Sequence, residues 1–397
     1  CYENILNDDP ENINARLALA DLHLYLGELE GAIGELEEIL DVAPDRADVY
    51  NLLGKLYLKQ SDFNSVITLL ETAFESGVKD TILAEMLAGA YVEKNRVEEA
   101  ISLYKDLLVA NPNNKNYFRI LGELQVRINR VDEAARSFCS MLDLDAPSIS
   151  EVIYKLEELK KKESGNIFVK EVLTDAYIKA IMPAKAVSEL GEILSLDENR
   201  LDRVISKFKE ILDKYPDEPA ALKALARAFI KKRSYSEAVN EYIKLTRYSD
   251  DHLNDAVAGL KDILSIFPGQ AHAHESLGDA YLKLARIEEA LLEYLEVLKL
   301  NSSAVKTIIE KCQRITKENP NMILAHQVLG QSYVLINDAS SAIEEAEFMI
   351  YLDKNYAPAH QIMGDAYMKA GSPHKAQASY ATAISIDPNN ILNPGHI

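Results

Sequence analysis

Residues 271–300 read AHAHESLGDAYLKLARIEEALLEYLEVLKL, and this stretch decides the fold because its pattern recurs along the chain. Within it, the small Gly278 lies three residues before Tyr281, and Ala290 and Tyr294 follow at fixed distances. The place of Tyr281 is filled every 34 residues, then every 52, and finally after 34 again, by His23, Tyr57, Tyr91, Gln125, Tyr177, Phe229, Tyr281, Tyr333 and Tyr367. Such a strict internal period predicts a one-dimensional stack of repeats.

Each period resembles the tetratricopeptide repeat, a pair of antiparallel helices marked by a small residue, an aromatic, an alanine, a second aromatic and a closing proline. The last repeat contains Gly364, Tyr367, Ala376, Tyr380 and Pro388 in that order. Small residues let the two helices approach closely, and proline cannot continue the second helix. The resemblance implies an all-α, right-handed α-solenoid or superhelix. The first helices should begin near Ile13, Ala47, Thr81, Lys115, Ile167, Pro219, Ala271, Ile323 and Ala357.

The 52-residue steps leave 18 residues beyond a regular repeat, enough for one additional helix and a turn. We expect these extra helices between repeats in the 148–322 region, at 150–162, 199–214, 251–267 and 302–317. The apolar spacing of Val204, Phe208 and Ile211 copies that of a repeat's second helix. Because an odd helix reverses the direction of the next one, the extra helices should either lie across the stack, as in three-helix armadillo-type units, or sharply change the pitch of the superhelix.

The predicted organisation has five parts. Residues 1–10 are the second helix of a truncated repeat, 11–146 are four regular repeats, 147–356 are four repeats alternating with extra helices, 357–390 are the final repeat and 391–397 are a tail. Because Tyr2, Ile5 and Pro10 have the spacing of a second helix, we expect a fragment of a longer, bacterial protein. An alternative for Cys1 is the acylated first residue of a bacterial lipoprotein.

Composition and charge are those of a folded, acidic protein. The 48% hydrophobic content can fill a solenoid core, and no run approaches the ~20 apolar residues of a membrane span. The net charge is −20, and residues 1–147 hold 27 acidic against 13 basic side chains. Nucleic acid is therefore an unsuitable partner, because phosphate binding requires basic patches.

The resemblance also implies a groove for extended peptides or partner helices, lined by the fifth, ninth and thirteenth residues of the first helices. Lys223 and Arg227 resemble the cations of a carboxylate clamp, although Asp175 stands where that clamp needs an asparagine. Cations at the thirteenth position have a competing explanation, since they complement the helix dipole. The candidate groove residues are Asn51, Lys55, Lys59, Arg119, Arg127, Lys179, Lys223, Arg227, Lys231 and Lys283.

Catalytic, cofactor and metal motifs are not recognisable. His272 and His274 are two residues apart, so on a helix they diverge and cannot share one ion. We therefore expect a non-enzymatic scaffold or adaptor for proteins or peptides, within an envelope, motility or secretion assembly, at the cytoplasmic or periplasmic face of a bacterial envelope. The alternative is the recognition arm of a larger enzyme or polysaccharide-export protein. Self-association into a homo-oligomer is left open.

Overall fold

The computed structural model describes residues 2–142, 144, 148–300 and 303–388, and this part of the chain consists of α-helices and turns, with one 3₁₀ turn at Glu198–Arg200. The all-α class predicted from the sequence is confirmed. The expectations for Cys1 and for the tail at 391–397 concern residues outside the described part. In chain order, the described helices are α1 (Tyr2–Asp8), α2 (Ile13–Leu26), α3 (Leu29–Val42), α4 (Ala47–Lys59), α5 (Phe63–Glu75), α6 (Thr81–Glu93), α7 (Val97–Ala110), α8 (Lys115–Arg127), α9 (Val131–Met141), α10 (Ser148–Lys162), α11 (Ile167–Lys179), α12 (Pro183–Leu196), α13 (Leu201–Lys214), α14 (Pro219–Lys231), α15 (Tyr235–Leu245), α16 (Asp250–Ile266), α17 (Ala271–Lys283), α18 (Ile287–Lys299), α19 (Val305–Glu318), α20 (Ile323–Leu335), α21 (Ala339–Leu352), α22 (Ala357–Lys369) and α23 (Pro373–Ile386).

The first helices of the repeats begin at the nine predicted residues and are α2, α4, α6, α8, α11, α14, α17, α20 and α22. The extra helices are α10, α13, α16 and α19, and their ends lie within three residues of the predicted ones. Each first helix is followed directly by the second helix of its repeat. The helical repeat with inserted helices, read from the period alone, is thus present.

Every first helix ends in the same turn. The carbonyl of Tyr57, for example, accepts a hydrogen bond from the N–H of Asp62, and Ser61 between them has a left-handed φ of 59°. The carbonyls of all nine recurring residues accept the equivalent bond, at 2.8–2.9 Å. This six-to-one bond with a left-handed residue is the Schellman motif, which satisfies carbonyls that the helix leaves without partners. The recurring residue therefore fixes the point at which the chain reverses.

Close helix approach explains the small residue three places earlier. A Cβ atom at Gly278 would lie 2.6 Å from Cε1 of Tyr294, whose side chain is fully buried. Only glycine lets α17 and α18 come this near, so Tyr294 can fill the space between them. The same contact occurs between Gly122 and Phe138 and between Gly364 and Tyr380, whereas an added Cβ at Gly54 or Gly330 would meet a side chain of the next first helix.

The extra helices meet the following first helix as ordinary second helices do. Tyr91 donates a hydrogen bond from its hydroxyl to Glu71 of the second helix α5, at 2.7 Å. Tyr177 makes the equivalent bond to Glu157 of the extra helix α10, at 2.6 Å, and both partners are 20 residues apart. The second-helix character predicted from the apolar spacing agrees with these contacts.

The chain divides into two compact units, with the boundary between Leu196 and Asp197. In unit 1, each helix packs on the next one in the chain, and next-but-one helices also touch, as α4 with α6 and α9 with α11 do. In unit 2 the same holds for α14 with α16, α15 with α17, and α18 and α22 with α20. Each unit thus contains two rows of helices, one even-numbered and one odd-numbered.

The extra helices α10, α16 and α19 each occupy a place in a row, so that the next first helix stands in the other row from the first helix that precedes the extra helix. Arg119 lies 3.9 Å from Glu151 and Glu123 lies 2.8 Å from Lys155. Both pairs are 32 residues apart, so α8 and α10 run in parallel within the even row. The first helix α11 therefore stands in the odd row, beside the second helix α9, and α17 likewise stands beside α15. The armadillo-type alternative is wrong for these helices, because such units would stack each helix on its third neighbour.

Candidate binding surface

The even row of unit 1 begins with four successive first helices, α2, α4, α6 and α8. On each of them the second, fifth, sixth, ninth, twelfth and thirteenth residues form one stripe at helical spacing. We call the four stripes together the unit 1 face. It contains five of the predicted groove residues: Asn51, Lys55, Lys59, Arg119 and Arg127.

Three cations of the unit 1 face are available to a ligand. Lys55, Lys59 and Arg127 are exposed, and within the described residues none of them forms an ion pair or a hydrogen bond. Lys59 and Arg127 close their helices, where a cation also complements the helix dipole. Lys55 lies a full turn earlier, so the dipole does not explain it.

Apolar side chains lie on the same face. Tyr25 is 88% exposed, Ile82 49% and Leu52 38%. At Gly89, the ninth residue of α6, an added Cβ would meet no atom within 4 Å, so the middle of the face is open. The exposed Glu93 is an acidic member of the face. The combination of exposed apolar groups and unpaired cations suits a partner segment that carries both apolar and acidic side chains.

Arg119 of the unit 1 face and two of the three predicted cations of α14 form ion pairs within the protein. Arg119 lies between Glu123 at 3.8 Å and Glu151 at 3.9 Å. Lys223 pairs with Asp255 of the extra helix α16 at 2.5 Å, and Lys231 pairs with Glu198 at 3.2 Å. Two of the three α14 cations for which the sequence predicts a peptide groove are thus paired with acidic residues of the protein itself.

The remaining predicted residues are bound locally or lie elsewhere. Arg227 lies near Tyr242, and although burial raises the pKa of the Tyr242 hydroxyl overall, the charge of Arg227 lowers it. Lys283 donates to the carbonyl of Thr246 at 2.9 Å, and the buried Oδ1 of Asn51 accepts no hydrogen bond from any described residue. Lys179 is an exposed residue at the end of α11.

The predicted groove residues also lie in different rows of helices. Lys179 on α11 lies in the odd row of unit 1, whereas Lys55 and Arg127 lie in the even row. Lys283 on α17 is likewise in the other row of unit 2 from Lys223. The ten predicted residues therefore do not line one groove. Sequence reasoning missed the exposed Tyr25, Leu52 and Ile82, whose stripe positions were the available signal.

Two further properties concern the described part of the chain. It contains no cluster of three or more histidine, cysteine or acidic side chains placed to hold a metal ion. None of its helices combines the length and the apolar character that crossing a membrane requires.

The chain belongs to the tetratricopeptide repeat family. Sequence profiles of this repeat match more than half of it, at residues 2–56, 85–148, 195–252, 271–303 and 357–390. Repeats of this kind build extended surfaces that receive other proteins or peptides. The chain is accordingly a protein-interaction scaffold by class.

Several curated relatives and solved structures are similar to the chain. DnaJ homolog subfamily C member 3 from Rattus norvegicus is 20% identical over 78% of this chain and 70% of its own length. Tetratricopeptide repeat protein 21B from Xenopus laevis is 23% identical over 80% of this chain but only 26% of its own length. The solved structure of Naa15/Naa10 bound to HypK-THB is 17% identical, with a TM-score of 0.34, over 95% of this chain and 64% of that one. The chain thus matches only part of the length of each of these proteins.

Proposed function

We propose that this chain is a non-enzymatic scaffold that holds a partner protein on the unit 1 face, as one component of a multiprotein assembly. The observation that carries the proposal is Lys55, an exposed cation in the middle of the face. It pairs with no described residue, and it lies too early in its helix for the helix dipole to explain it. The expected partner segment is extended or helical and presents apolar side chains toward Leu52 and Ile82 with a carboxylate near Lys55.

Burial of the apolar groups supplies the affinity in this arrangement. Leu52, Ile82 and Tyr25 can each lose much of their exposed area to a partner, at about 25 cal/mol for each Å² of apolar surface. The cations supply orientation and a fast encounter with an acidic segment, and both effects weaken as salt screens the charges. The cations of the unit 1 face therefore select an acidic partner segment, and the apolar side chains of the face supply the affinity.

A peptide selection on the full-length protein tests this function. Short displayed peptides selected on the wild type should be enriched in acidic and aliphatic residues. The variant Lys55→Glu/Lys59→Glu should weaken binding of those peptides by about tenfold, which corresponds to about 1.4 kcal/mol. A matched control is Arg314→Glu/Lys317→Glu on α19, which reverses two exposed cations of unit 2 that pair with no described residue and should bind as the wild type does.

A second variant tests the position of the partner by shape rather than charge. Gly89→Trp places an indole in the open middle of the face, where an added Cβ meets nothing, and should abolish binding while the far-ultraviolet circular dichroism stays helical. If the selected peptides bind the Lys55→Glu/Lys59→Glu and Gly89→Trp variants as tightly as they bind the wild type, the unit 1 face is not the binding site. A selection without acidic enrichment would exclude the proposed chemistry.

A further inference from the structure

Two histidines of unit 2 each tie three segments of the chain together. His274, the fourth residue of α17, places Nδ1 2.6 Å from a carboxylate oxygen of Glu293 on α18. Its Nε2 lies 2.9 Å from the carbonyl oxygen of Pro268, in the turn that follows the extra helix α16. The ring therefore joins an extra helix's turn, a first helix and a second helix.

His326 repeats this arrangement on α20. Its Nδ1 lies 2.6 Å from Glu345 on α21, and its Nε2 lies 2.8 Å from the carbonyl of Pro320, after the extra helix α19. The side chain of His326 is 11% exposed and that of His274 13%. At this degree of burial, water cannot readily replace a lost contact.

Hydrogen-bond accounting assigns the protonation state. A carboxylate and a backbone carbonyl both accept, so each ring nitrogen must donate. A neutral imidazole has one N–H, whereas the imidazolium has two. Both contacts of each histidine are satisfied together only in the charged form.

Other repeats support a cation at this position. Arg16, the fourth residue of α2, donates from Nε to the carbonyl of Pro10 at 3.1 Å and from Nη1 to Glu35 at 3.0 Å. The spacing is identical, six residues back to the proline and nineteen forward to the glutamate. Arginine holds these contacts permanently, because its guanidinium does not titrate. His360 on α22 reaches only the carbonyl of Lys354, at 3.2 Å, and Ser379 replaces the glutamate, so it offers an internal control.

Carboxylates and backbone carbonyls surround both histidine rings and favour their charged form. The hydrogen bond to Glu293 raises the pKa of His274 most, burial opposes it, and Pro268 and Glu296 add to the rise. For His326, burial favours the neutral ring, but Glu345 and the Pro320 carbonyl outweigh it and the pKa is raised. The charged groups with the leading effects lie on the following second helix: Glu293 and Glu296 of α18 for His274, and Glu345 of α21 for His326. Lys311 of α19 is engaged by Glu275 and Asp279.

We propose that His274 and His326 are proton-operated clamps that fasten the turns at 267–270 and 319–322 to the following helix pair, so that unit 2 loosens locally at these two junctions when the pH rises. Both clamps lie at a junction between an extra helix and a first helix. It provides a reversible change in local order without altering the repeat framework.

The direction of the effect follows from linkage. A pKa raised in the folded protein gives a stabilisation that is complete below the ordinary histidine pKa of about 6.5 and is lost as the pH rises through the folded value. For each unit of that rise, the equilibrium for local opening should change by about tenfold. The clamps are thus closed in mildly acidic solution and open once the pH exceeds the raised pKa of each histidine.

Hydrogen exchange of the full-length protein tests the clamps. After correction for the intrinsic pH dependence of exchange, protection of peptides that cover 267–274 and 319–326 should fall between pH 6 and pH 8.5. The variant His274→Arg/His326→Arg copies Arg16 and should keep protection constant over this range. His360→Gln should behave as the wild type at the two junctions.

A second measurement covers the case in which arginine does not fit. Ring proton resonances of His274 and His326 should titrate together with the loss of protection, and Glu293→Gln/Glu345→Gln should lower both titration midpoints and remove the step. Constant wild-type protection across the pH range would overturn the proposal. So would a step of unchanged size in His274→Arg/His326→Arg or in Glu293→Gln/Glu345→Gln.

Discussion

At the residue scale, the clearest conflict between side chain and backbone is at Ile181. Nine first helices end with a residue in the left-handed region, and at five of these places the residue is the expected glycine or asparagine, as at Gly27 and Asn95. Ile181 has a φ of 59° although its side chain is β-branched, and 73% of it is exposed. A left-handed conformation costs a non-glycine residue about 1–2 kcal/mol, and little burial compensates for it here.

Ile181→Asn should therefore stabilise the protein by about 1 kcal/mol, because asparagine adopts this conformation with less strain. Urea denaturation of the full-length chain, followed by circular dichroism, measures the change. Ile384→Asn is a matched control, since Ile384 is 53% exposed within the regular helix α23 and should gain nothing. An Ile181→Asn protein no more stable than the wild type would show that the turn carries no such strain.

The fixed spacing of residues within the repeat explains how much of the fold the sequence predicts. The recurring residue that starts each C-terminal turn and the glycine under Tyr294 act locally, so their spacing located all nine first helices. The histidine clamps were readable in the same way, through a fourth-position cation, a proline six residues earlier and a glutamate nineteen later. Such a pattern is hard to recognise, because its members lie six and nineteen residues from the histidine and on different elements.

At the element scale, the extra helices matter because they change which row a first helix joins. This could not be read from spacing, since the second-helix pattern of Val204, Phe208 and Ile211 specifies a buried face but not a direction in the stack. The groove prediction assumed that every first helix faces the same side. In the sequence, Lys223 therefore resembles a ligand-binding cation, whereas in the structure it pairs with Asp255 of α16.

A charge exchange tests the parallel packing of α8 and α10. Glu123 and Lys155 are 2.8 Å apart and about one third exposed, so a double-mutant cycle should give a coupling of about 0.2–1 kcal/mol. Glu123→Lys and Lys155→Glu should each destabilise the protein, and the double variant should recover most of the loss. Lys161, which pairs with Glu158 of its own helix, provides a control whose reversal should show no coupling to Glu123. Zero coupling between Glu123 and Lys155 would argue against the row assignment of α10.

At the scale of the whole molecule, stability should be distributed rather than global. Within each unit, the helices that pack together are neighbours or next-but-one neighbours in the chain. An array of this kind has a stability close to the sum of local terms, so that a defect is felt mainly by the helices around it. This separates the chain from a single-core domain, in which any large cavity lowers the protection of every helix.

Leu70→Ala provides the test. Leu70 is fully buried on α5, within a cluster that includes Leu83 of α6, and its truncation should cost about 2–5 kcal/mol locally. Hydrogen exchange of the full-length variant should then lose protection in α4, α5 and α6 but retain it in α20, α21 and α22. Met349→Ala, at a fully buried site of α21, should give the reverse pattern. Equal losses throughout the chain in either variant would mean that the two units unfold as one cooperative body, and a partner held on the unit 1 face would then stabilise the histidine junctions of unit 2 as well.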